Sequence, residues 1–355
     1  MVAYAVDIEP TNRCNASCHF CPRDMTPHEG LMSLEVFDQA LARVLEYRDL
    51  AIEIDGKSSF EFLSLCGEGE PLLNPKLPEF VRRITASGLK PHIASNGSLL
   101  DERRATALLD AGLKRIALNV GEIGEDYERV YKLPWQKTSD NVNRFISEAK
   151  GQCEVVIVLV DHRQDPKHAF RMTKYWQKRG VEKFIGYDLI NRGGSLKVDR
   201  MDYENFPVRA DAVELFDSLE NPPRCGVPLF QLFIGYDGQY YLCCSDWQKQ
   251  VPFGSVFDRS FMDIVRDKIA AVTHRELVCR TCSADPLNML TEKLQEISDG
   301  KADASERDTF IDLLHYRWGI PRGAIETYDP TLAGWEPPPR AAQPSRPHSI
   351  PVRAL

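Results

Sequence analysis

Residues 4–21 read Tyr4-Ala-Val-Asp-Ile-Glu-Pro-Thr-Asn-Arg-Cys14-Asn-Ala-Ser-Cys18-His-Phe-Cys21, a short apolar run followed by three thiols at C-x3-C-x2-C spacing. Tyr4–Ile8 reads as a strand, and Cys14, Cys18 and Cys21 fit on one loop facing a common centre. No fourth protein ligand is nearby. A structural zinc ion takes four closed tetrahedral ligands, and an iron–sulfur cluster is normally held by four thiolates. Three local thiols leave two readings open: a zinc site completed from a distance, or a cluster with one iron open to something that is not protein.

Outward from this loop, strand-like and helix-like segments alternate up to about residue 190. Tyr4–Ile8, Phe60–Leu65, Pro91–Ser95, Arg115–Val120, Glu154–Val160 and Lys183–Leu189 are short apolar runs. Amphipathic stretches lie between them at Leu34–Tyr47, Leu77–Ser87, Glu102–Ala111, Ser139–Lys150 and Lys167–Arg179. Ser33 stands where an N-cap belongs, and Gly88, Gly112 and Gly180 stand where C-caps belong. Such alternation implies a parallel sheet with right-handed crossovers. Six repeats are too few for a closed eight-stranded barrel, so the expected fold is α/β, a partial (β/α)6 TIM-like barrel. Its site is expected at the carboxyl ends of the strands, where the cysteine loop falls.

Composition narrows the function. The 355 residues are 43% hydrophobic and 27% charged, as in a globular protein, with a net charge of −8 spread along the chain. No clustered basic face argues for nucleic acid, and no apolar run is long enough to span a membrane. No export signal is read at the N-terminus. Ten cysteines without one read as metal-binding or catalytic thiols in a reducing, cytoplasmic compartment.

The cysteine loop after a first strand resembles the cluster loop of the radical S-adenosylmethionine (SAM) enzymes. In that family a [4Fe-4S] cluster on three cysteines binds the amino and carboxylate groups of SAM at its open iron. After strand two, Leu65-Cys-Gly-Glu-Gly-Glu-Pro-Leu72 is similar to the family's Gly-Gly-Glu-Pro motif. The resemblance assigns Gly69, Glu70 and Pro71 to the SAM amino group. Ala94-Ser-Asn-Gly97 is similar to the family's Thr-Asn-Gly, placing Ser95 and Asn96 at the ribose or methionyl group. Asn119 keeps a polar side chain at the tip of strand four, where relatives show Ser-x-Asp-Gly. Arg129, Tyr131 and Lys132 only loosely match the family's carboxylate-binding Tyr-x-x-x-Arg-Gly, and that role is left unassigned. Asp161, in Val160-Asp-His-Arg163, and Arg192, in Asn191-Arg-Gly-Gly194, are the candidate catalytic residues. Arg192 presents a rigid fork of donors suited to hydroxyl or carboxylate groups.

A second cysteine group begins at Cys225. A hairpin-like stretch, Leu229–Ile234 and Tyr240–Leu242 about Tyr236-Asp-Gly-Gln239, leads to Cys243 and Cys244, and Cys279-Arg-Thr-Cys282 follows a helix at Phe261–Thr273. Four thiols at this spacing suit a closed [4Fe-4S] cluster or a four-thiolate zinc site. The stretch resembles the twitch form of the SPASM auxiliary-cluster domain of radical SAM enzymes. Gly238-x4-Cys243 matches its Gly-x4-Cys element, so the ligands implied are Cys225, Cys243, Cys279 and Cys282. Cys66 and Cys153 read as small buried hydrophobes.

The expected domains are a barrel at 1–195, a linker at 196–224, an auxiliary domain at 225–285, a helical segment at 286–333 and a disordered proline-rich tail at 334–355. The resemblance implies an enzyme that cleaves SAM reductively and removes a hydrogen atom from its substrate. With one auxiliary cluster, the first expectation is two-electron oxidation of a small polar substrate such as a sugar or aminocyclitol. Peptide maturation, epimerisation and decarboxylation use the same scaffold. The chain leaves no room for a separate peptide-binding module, which favours a small molecule over a short peptide. The electron donor implied is a flavodoxin or ferredoxin.

Overall fold

A computed structural model describes residues 5–55, 60–197, 208–217, 222 and 224–300. The six expected strands form β1 (Ala5–Ile8), β2 (Phe62–Leu65), β3 (Lys90–Ser95), β4 (Arg115–Asn119), β5 (Glu154–Asp161) and β6 (Lys183–Asp188). They lie in sequential order and all pair in parallel, giving a partial barrel. Between them run α1 (Leu34–Asp55), α2 (Leu77–Ala86), α3 (Glu102–Asp110), α4 (Gly124–Tyr131), α5 (Trp135–Glu148) and α6 (Pro166–Gln177).

Alternation along each strand divides the residues between two faces. Val6, Ile8, Leu63, Leu65, Ile93, Ile116, Leu118, Ile157 and Leu159 enter the main core with helix residues such as Phe37, Phe80, Val142 and Trp176. Asp7 and Ser64, which alternate with them, turn to the inner face. The Ser33 hydroxyl accepts the Val36 N–H at 3.1 Å and so caps α1. Gly88, Gly112 and Gly180 have φ of 82°, 94° and 92°, the left-handed conformation of helix ends.

Several boundaries differ from expectation: α1 runs on past Tyr47 to Asp55, and the strand expected from Leu229 begins at Gln231. The helix expected at Ser139–Lys150 starts at Trp135, and α4 precedes it. Lys132, at φ 57°, ends α4, and Pro134 occupies the N-cap of α5.

The second cysteine group belongs to the same sheet. After α7 (Ala210–Asp217) and the single turn α8 (Val227–Phe230), β7 (Gln231–Ile234) pairs in parallel with β1. β8 (Gln239–Tyr241) and β9 (Pro252–Ser255) then add antiparallel strands, giving the order β6-β5-β4-β3-β2-β1-β7-β8-β9. Residues 225–285 therefore extend the barrel's free edge, covering a strand that would otherwise expose unpaired backbone. α9 (Phe261–His274), α10 (Leu277–Arg280) and α11 (Pro286–Ser298) complete the described chain. The expected helical segment is described only through α11, and the expected tail lies outside the described residues. Among the described residues no helix is long and apolar enough to cross a membrane.

Candidate functional site

The cysteine loop is stitched to its neighbours mainly by backbone. Glu70 N–H donates to the Arg13 carbonyl at 2.8 Å, and Ser17 and His19 N–H donate to the Tyr131 and Val130 carbonyls ending α4. Gly69 is set by close approach: a Cβ there would lie 2.4 Å from the Thr11 carbonyl oxygen and 2.5 Å from that of Arg13. The Asn15 amide donates to Ser98 Oγ at 2.9 Å and its carbonyl accepts from the Asn96 amide at 3.0 Å, tying the loop to the tip of β3.

Glu70 is 1% exposed. Its carboxylate accepts from the Ser95 hydroxyl (2.8 Å), the Asn96 N–H (2.7 Å) and the Leu72 N–H (3.1 Å). Burial pushes its carboxyl up to about 7, against those hydrogen bonds, and no cationic side chain enters the balance. A buried carboxylate with three donors and no cation suits an incoming ammonium group. Asn119 ends β4 half-buried, on the strand beside Ser95. Arg129 is exposed and pairs with Asp126, away from this cradle.

Among the described residues no three His, Cys, Asp or Glu side chains converge on a point suited to one metal ion, so the fit to clusters rests on the neighbourhood of the thiols. Burial pushes Cys21 up to about 11, with Cys14 acting on it, and raises Cys18, on which Cys21 and Cys14 both act. Cys14 is raised by burial too, and the Arg23 guanidinium donates to its carbonyl at 2.9 Å. In the second group burial raises Cys225 to about 12, and Cys243, Cys279 and Cys282 upward as well. Cys282 and Cys225 both act on Cys243 and on Cys279. Cys14, Cys18 and Cys21 thus neighbour one another, as do Cys225, Cys243, Cys279 and Cys282, with Cys244 also acting on Cys225, Cys243 and Cys282; three thiols could hold an open and four a closed [4Fe-4S] cluster. The Asn288 amide, from α11, donates to the carbonyls of Cys279, Arg280 and Cys282 at 3.1, 2.9 and 3.0 Å, fixing the last two candidate ligands.

Asn191-Arg192-Gly193-Gly194 clasps the barrel to that loop. The Asn191 amide donates to the Thr281 carbonyl at 2.6 Å, and the Asn191 carbonyl accepts from Ser283 N–H at 2.8 Å. The Thr281 hydroxyl donates to the Gly193 carbonyl at 2.8 Å. A Cβ on Gly193 would meet Val278 at 2.3 Å, and the φ of 50° at Arg192 turns the chain there. The Arg192 charge acts on both Cys21 and Cys244.

Between the two thiol groups lies a buried polar network that sequence reading misses. Lys249 Nζ sits 3.5 Å from Glu9 and 3.0 Å from Glu68, all three side chains 8% exposed or less, and lies over the Phe233 and Tyr241 rings. Burial, with the Glu9 charge, pushes the Glu68 carboxyl well up. Cys66 Sγ donates to Asp7 at 3.3 Å, the Gln231 amide donates to the other Asp7 oxygen, and Lys268 Nζ donates to the Gln231 carbonyl at 2.8 Å. Cys153 packs on the core as expected. Cys66 does not: it follows β2 on the inner face and is spent on Asp7. The available signals are charge out of place, Asp7 within an apolar strand and Lys268 between Ile264 and Val272 on the buried face of α9.

Asp161, a catalytic candidate, accepts the Asp165 N–H at 3.2 Å and shapes the turn into α6. Its neighbour reaches the cysteine loop instead: His162 contacts His19 at 3.2 Å and Glu122 at 2.8 Å, and Arg163 holds Glu122 with two hydrogen bonds of 2.7 and 2.9 Å. Burial pushes Glu122 up, but the bonds from His162 and Arg163 outweigh it and hold the carboxyl low.

Residues 8–173 match the radical SAM superfamily, and residues 225–283 match the SPASM iron–sulfur cluster-binding domain. The chain is 26% identical to a PqqA peptide cyclase of Granulibacter bethesdensis over 197 residues, 53% of this chain and 50% of the cyclase. It is 29% identical to the S-adenosyl-L-methionine-dependent 2-deoxy-scyllo-inosamine dehydrogenase of Niallia circulans over 112 residues, 31% of this chain and 42% of the dehydrogenase. It spans half or less of these curated relatives. The structure of anSMEcpe with bound AdoMet superposes at a TM-score of 0.58 and 16% identity, covering 91% of this chain and 99% of that one. Streptococcus suis SuiB bound to its precursor peptide SuiA superposes at 0.58 and 12%, covering 81% and 73%. At those identities the likeness shows the fold. With both domain matches on a partial barrel of this topology, the chain belongs to the radical SAM superfamily, an enzyme with a SAM-binding [4Fe-4S] cluster and an auxiliary cluster in its SPASM-type domain.

Proposed function

We propose that this radical SAM enzyme carries out a two-electron oxidation of a small polar substrate, a sugar or aminocyclitol, turning a secondary alcohol into a ketone. One observation carries the reading: the buried Glu68 carboxylate accepts from Thr26, just past the cysteine loop, at 3.4 Å and pairs with Lys249, six residues beyond Cys243, at 3.0 Å, so a buried charged group stands where the barrel meets the second cysteine group. When bound, the clusters and SAM supply a 5′-deoxyadenosyl radical that takes a hydrogen atom and an acceptor for the electron left behind. Cys14, Cys18 and Cys21 are the proposed holders of the first cluster, and Cys225, Cys243, Cys279 and Cys282 of the second. Glu70 takes the SAM ammonium, with Gly69 and Pro71 shaping the turn, while Ser95, Asn96 and Asn119 line the nucleoside side.

In this reading Arg192 orients a substrate hydroxyl with its fork of donors. Glu68, with its raised carboxyl, takes the hydroxyl proton, and Lys249 steadies the carboxylate before that transfer. Atoms and charge balance: the carbon loses a hydrogen atom, the oxygen a proton, and one electron leaves. The Niallia circulans dehydrogenase supports this class of substrate. The match to a PqqA peptide cyclase favours a second reading, peptide modification.

The test supplies 2-deoxy-scyllo-inosamine, SAM and dithionite anaerobically. The expected outcome is a ketone formed in step with 5′-deoxyadenosine, and Cys243→Ala retaining SAM cleavage while losing the ketone. Cleavage with no oxidised product from this or other aminocyclitols and sugars contradicts the reading.

A further inference from the structure

The exposed side of α6 carries a stripe of cations. Lys167, Arg171, Lys174 and Lys178 recur at intervals of four, three and four residues, one face of a helix, and all are exposed. Met172 and Trp176, on the opposite face, are buried. Phe170 stands within the stripe, 63% exposed, with Lys174 Nζ over its ring at 5.4 Å. Phe170, Arg171, Lys174 and Lys178, with Arg163, Ile123 and Tyr175, line an open groove of about 470 Å³, and Lys167 stands outside its lining. Carboxylates are present at its edges: Asp165 pairs with Arg171 at 3.6 Å, and Glu122 and Asp126 are taken up by Arg163. Among the described residues Lys167, Lys174 and Lys178 form no ion pair within 4.0 Å, in a chain whose net charge is −8.

The stripe begins where the cysteine loop comes to the surface. His168, in the first turn of α6, contacts the Gly121 carbonyl at 3.1 Å and Glu122 at 3.2 Å. Glu122 holds His162, and His162 touches His19, an exposed residue between Cys18 and Cys21. Two further cations, Lys132 and Arg163, act on His19. The α6 stripe thus runs up to the solvent-facing edge of the loop that carries three of the thiols.

We infer that the α6 stripe and the adjoining edge of the cysteine loop form the docking surface for a small acidic one-electron carrier protein, a flavoprotein or iron–sulfur protein. Unpaired lysines on an acidic protein attract such a partner while leaving the rest of the surface repulsive, and they raise the encounter rate in a salt-dependent way. Phe170 supplies the apolar anchor that a docking patch needs at its centre. In the step served, the reduced carrier loses one electron and the cluster on Cys14, Cys18 and Cys21 gains it. The inference rests on membership of the radical SAM superfamily and not on the substrate proposed above.

The test measures binding of oxidised flavodoxin, an acidic FMN protein, to the reconstituted enzyme at low and high salt, for the wild type and for the triple variant K167E/K174E/K178E. Arg103→Glu, on the exposed side of α3, is the control. The inference predicts salt-sensitive binding that weakens about tenfold or more in the triple variant. Arg103→Glu should bind as the wild type does. Iron content and dithionite-driven SAM cleavage should be unchanged in the triple variant, which separates a docking defect from a damaged site. Carbodiimide cross-linking of the wild-type complex gives a second readout: carrier carboxylates should join to Lys167, Lys174 or Lys178. Binding within about twofold of wild type in the triple variant, equal weakening by Arg103→Glu, or cross-links confined to other lysines would overturn it. The binding measurement does not depend on turnover, so a failed substrate assay leaves this test decisive.

Discussion

Glu70 shows how one carboxylate is kept ready for a ligand it lacks in the free protein. Its carboxyl stands at about 7 in the fold against 4.5 ordinarily, because burial outweighs three hydrogen bonds. A raised carboxyl contributes stability that is complete below about 4.5 and is lost as pH rises through about 7. The stability of the SAM-free protein relative to Glu70→Gln should therefore fall by roughly 3 kcal/mol between pH 4.5 and 8, read from denaturant unfolding at each pH. A flat difference would mean that Glu70 is not buried without a cation as described. An ammonium beside Glu70 reverses the balance, so SAM binding near pH 7 should release a proton in the wild type and not in the variant. The buried Lys249 between Glu9 and Glu68 shows the opposite solution, in which the chain supplies its own cation.

Elements differ in how openly they announce themselves. The six strands are legible because buried parallel strands are short apolar runs, and the cysteine spacing is legible because ligands on one loop must be close in sequence. α4 is harder: Gly124 opens it, Lys132 closes it in a left-handed conformation, and nothing in eight residues outweighs a loop reading. The clasp at Asn191–Gly194 is hidden for another reason. Its partners Thr281 and Ser283 lie some ninety residues away, so only the fold reveals why two glycines and an asparagine are needed. His162 was equally out of reach, since its contact with His19 depends on β5 ending beside the cysteine loop. The role of α11 follows from one side chain. Asn288→Ala would remove a donor from the Cys279, Arg280 and Cys282 carbonyls; those of Cys279 and Cys282 keep backbone donors, so the cost of about 1–3 kcal/mol for an unpaired group falls at Arg280. That variant should lose iron from the second site first, seen as a fall in iron per chain with SAM cleavage retained. Equal loss from both sites would show that α11 supports the whole fold and not this loop.

At the scale of the molecule, one sheet carries both thiol groups. β7 pairs with β1, so the strand that leads into Cys14, Cys18 and Cys21 is hydrogen-bonded to the strand that follows Cys225. The join between the two domains is not legible in the sequence, because pairing between residues 5–8 and 231–234 has no local signature. The two thiol groups share β1 and the Asn191 clasp, and polar contacts join barrel to extension: Asp7 accepts from Cys66 and from Gln231, Gln231 accepts from the Cys244 N–H, and Glu68 pairs with Lys249. Iron and sulfide counting after anaerobic reconstitution, paired with SAM cleavage, tests most directly whether Cys14, Cys18 and Cys21 hold an open cluster and Cys225, Cys243, Cys279 and Cys282 a closed one. The expected result is about eight irons per chain in the wild type, about four on changing Cys14, Cys18 and Cys21 to Ala with SAM cleavage abolished, and about four in Cys243→Ala with cleavage retained. About four irons in the wild type, zinc in the second site, or SAM cleavage surviving loss of the first three cysteines would contradict it.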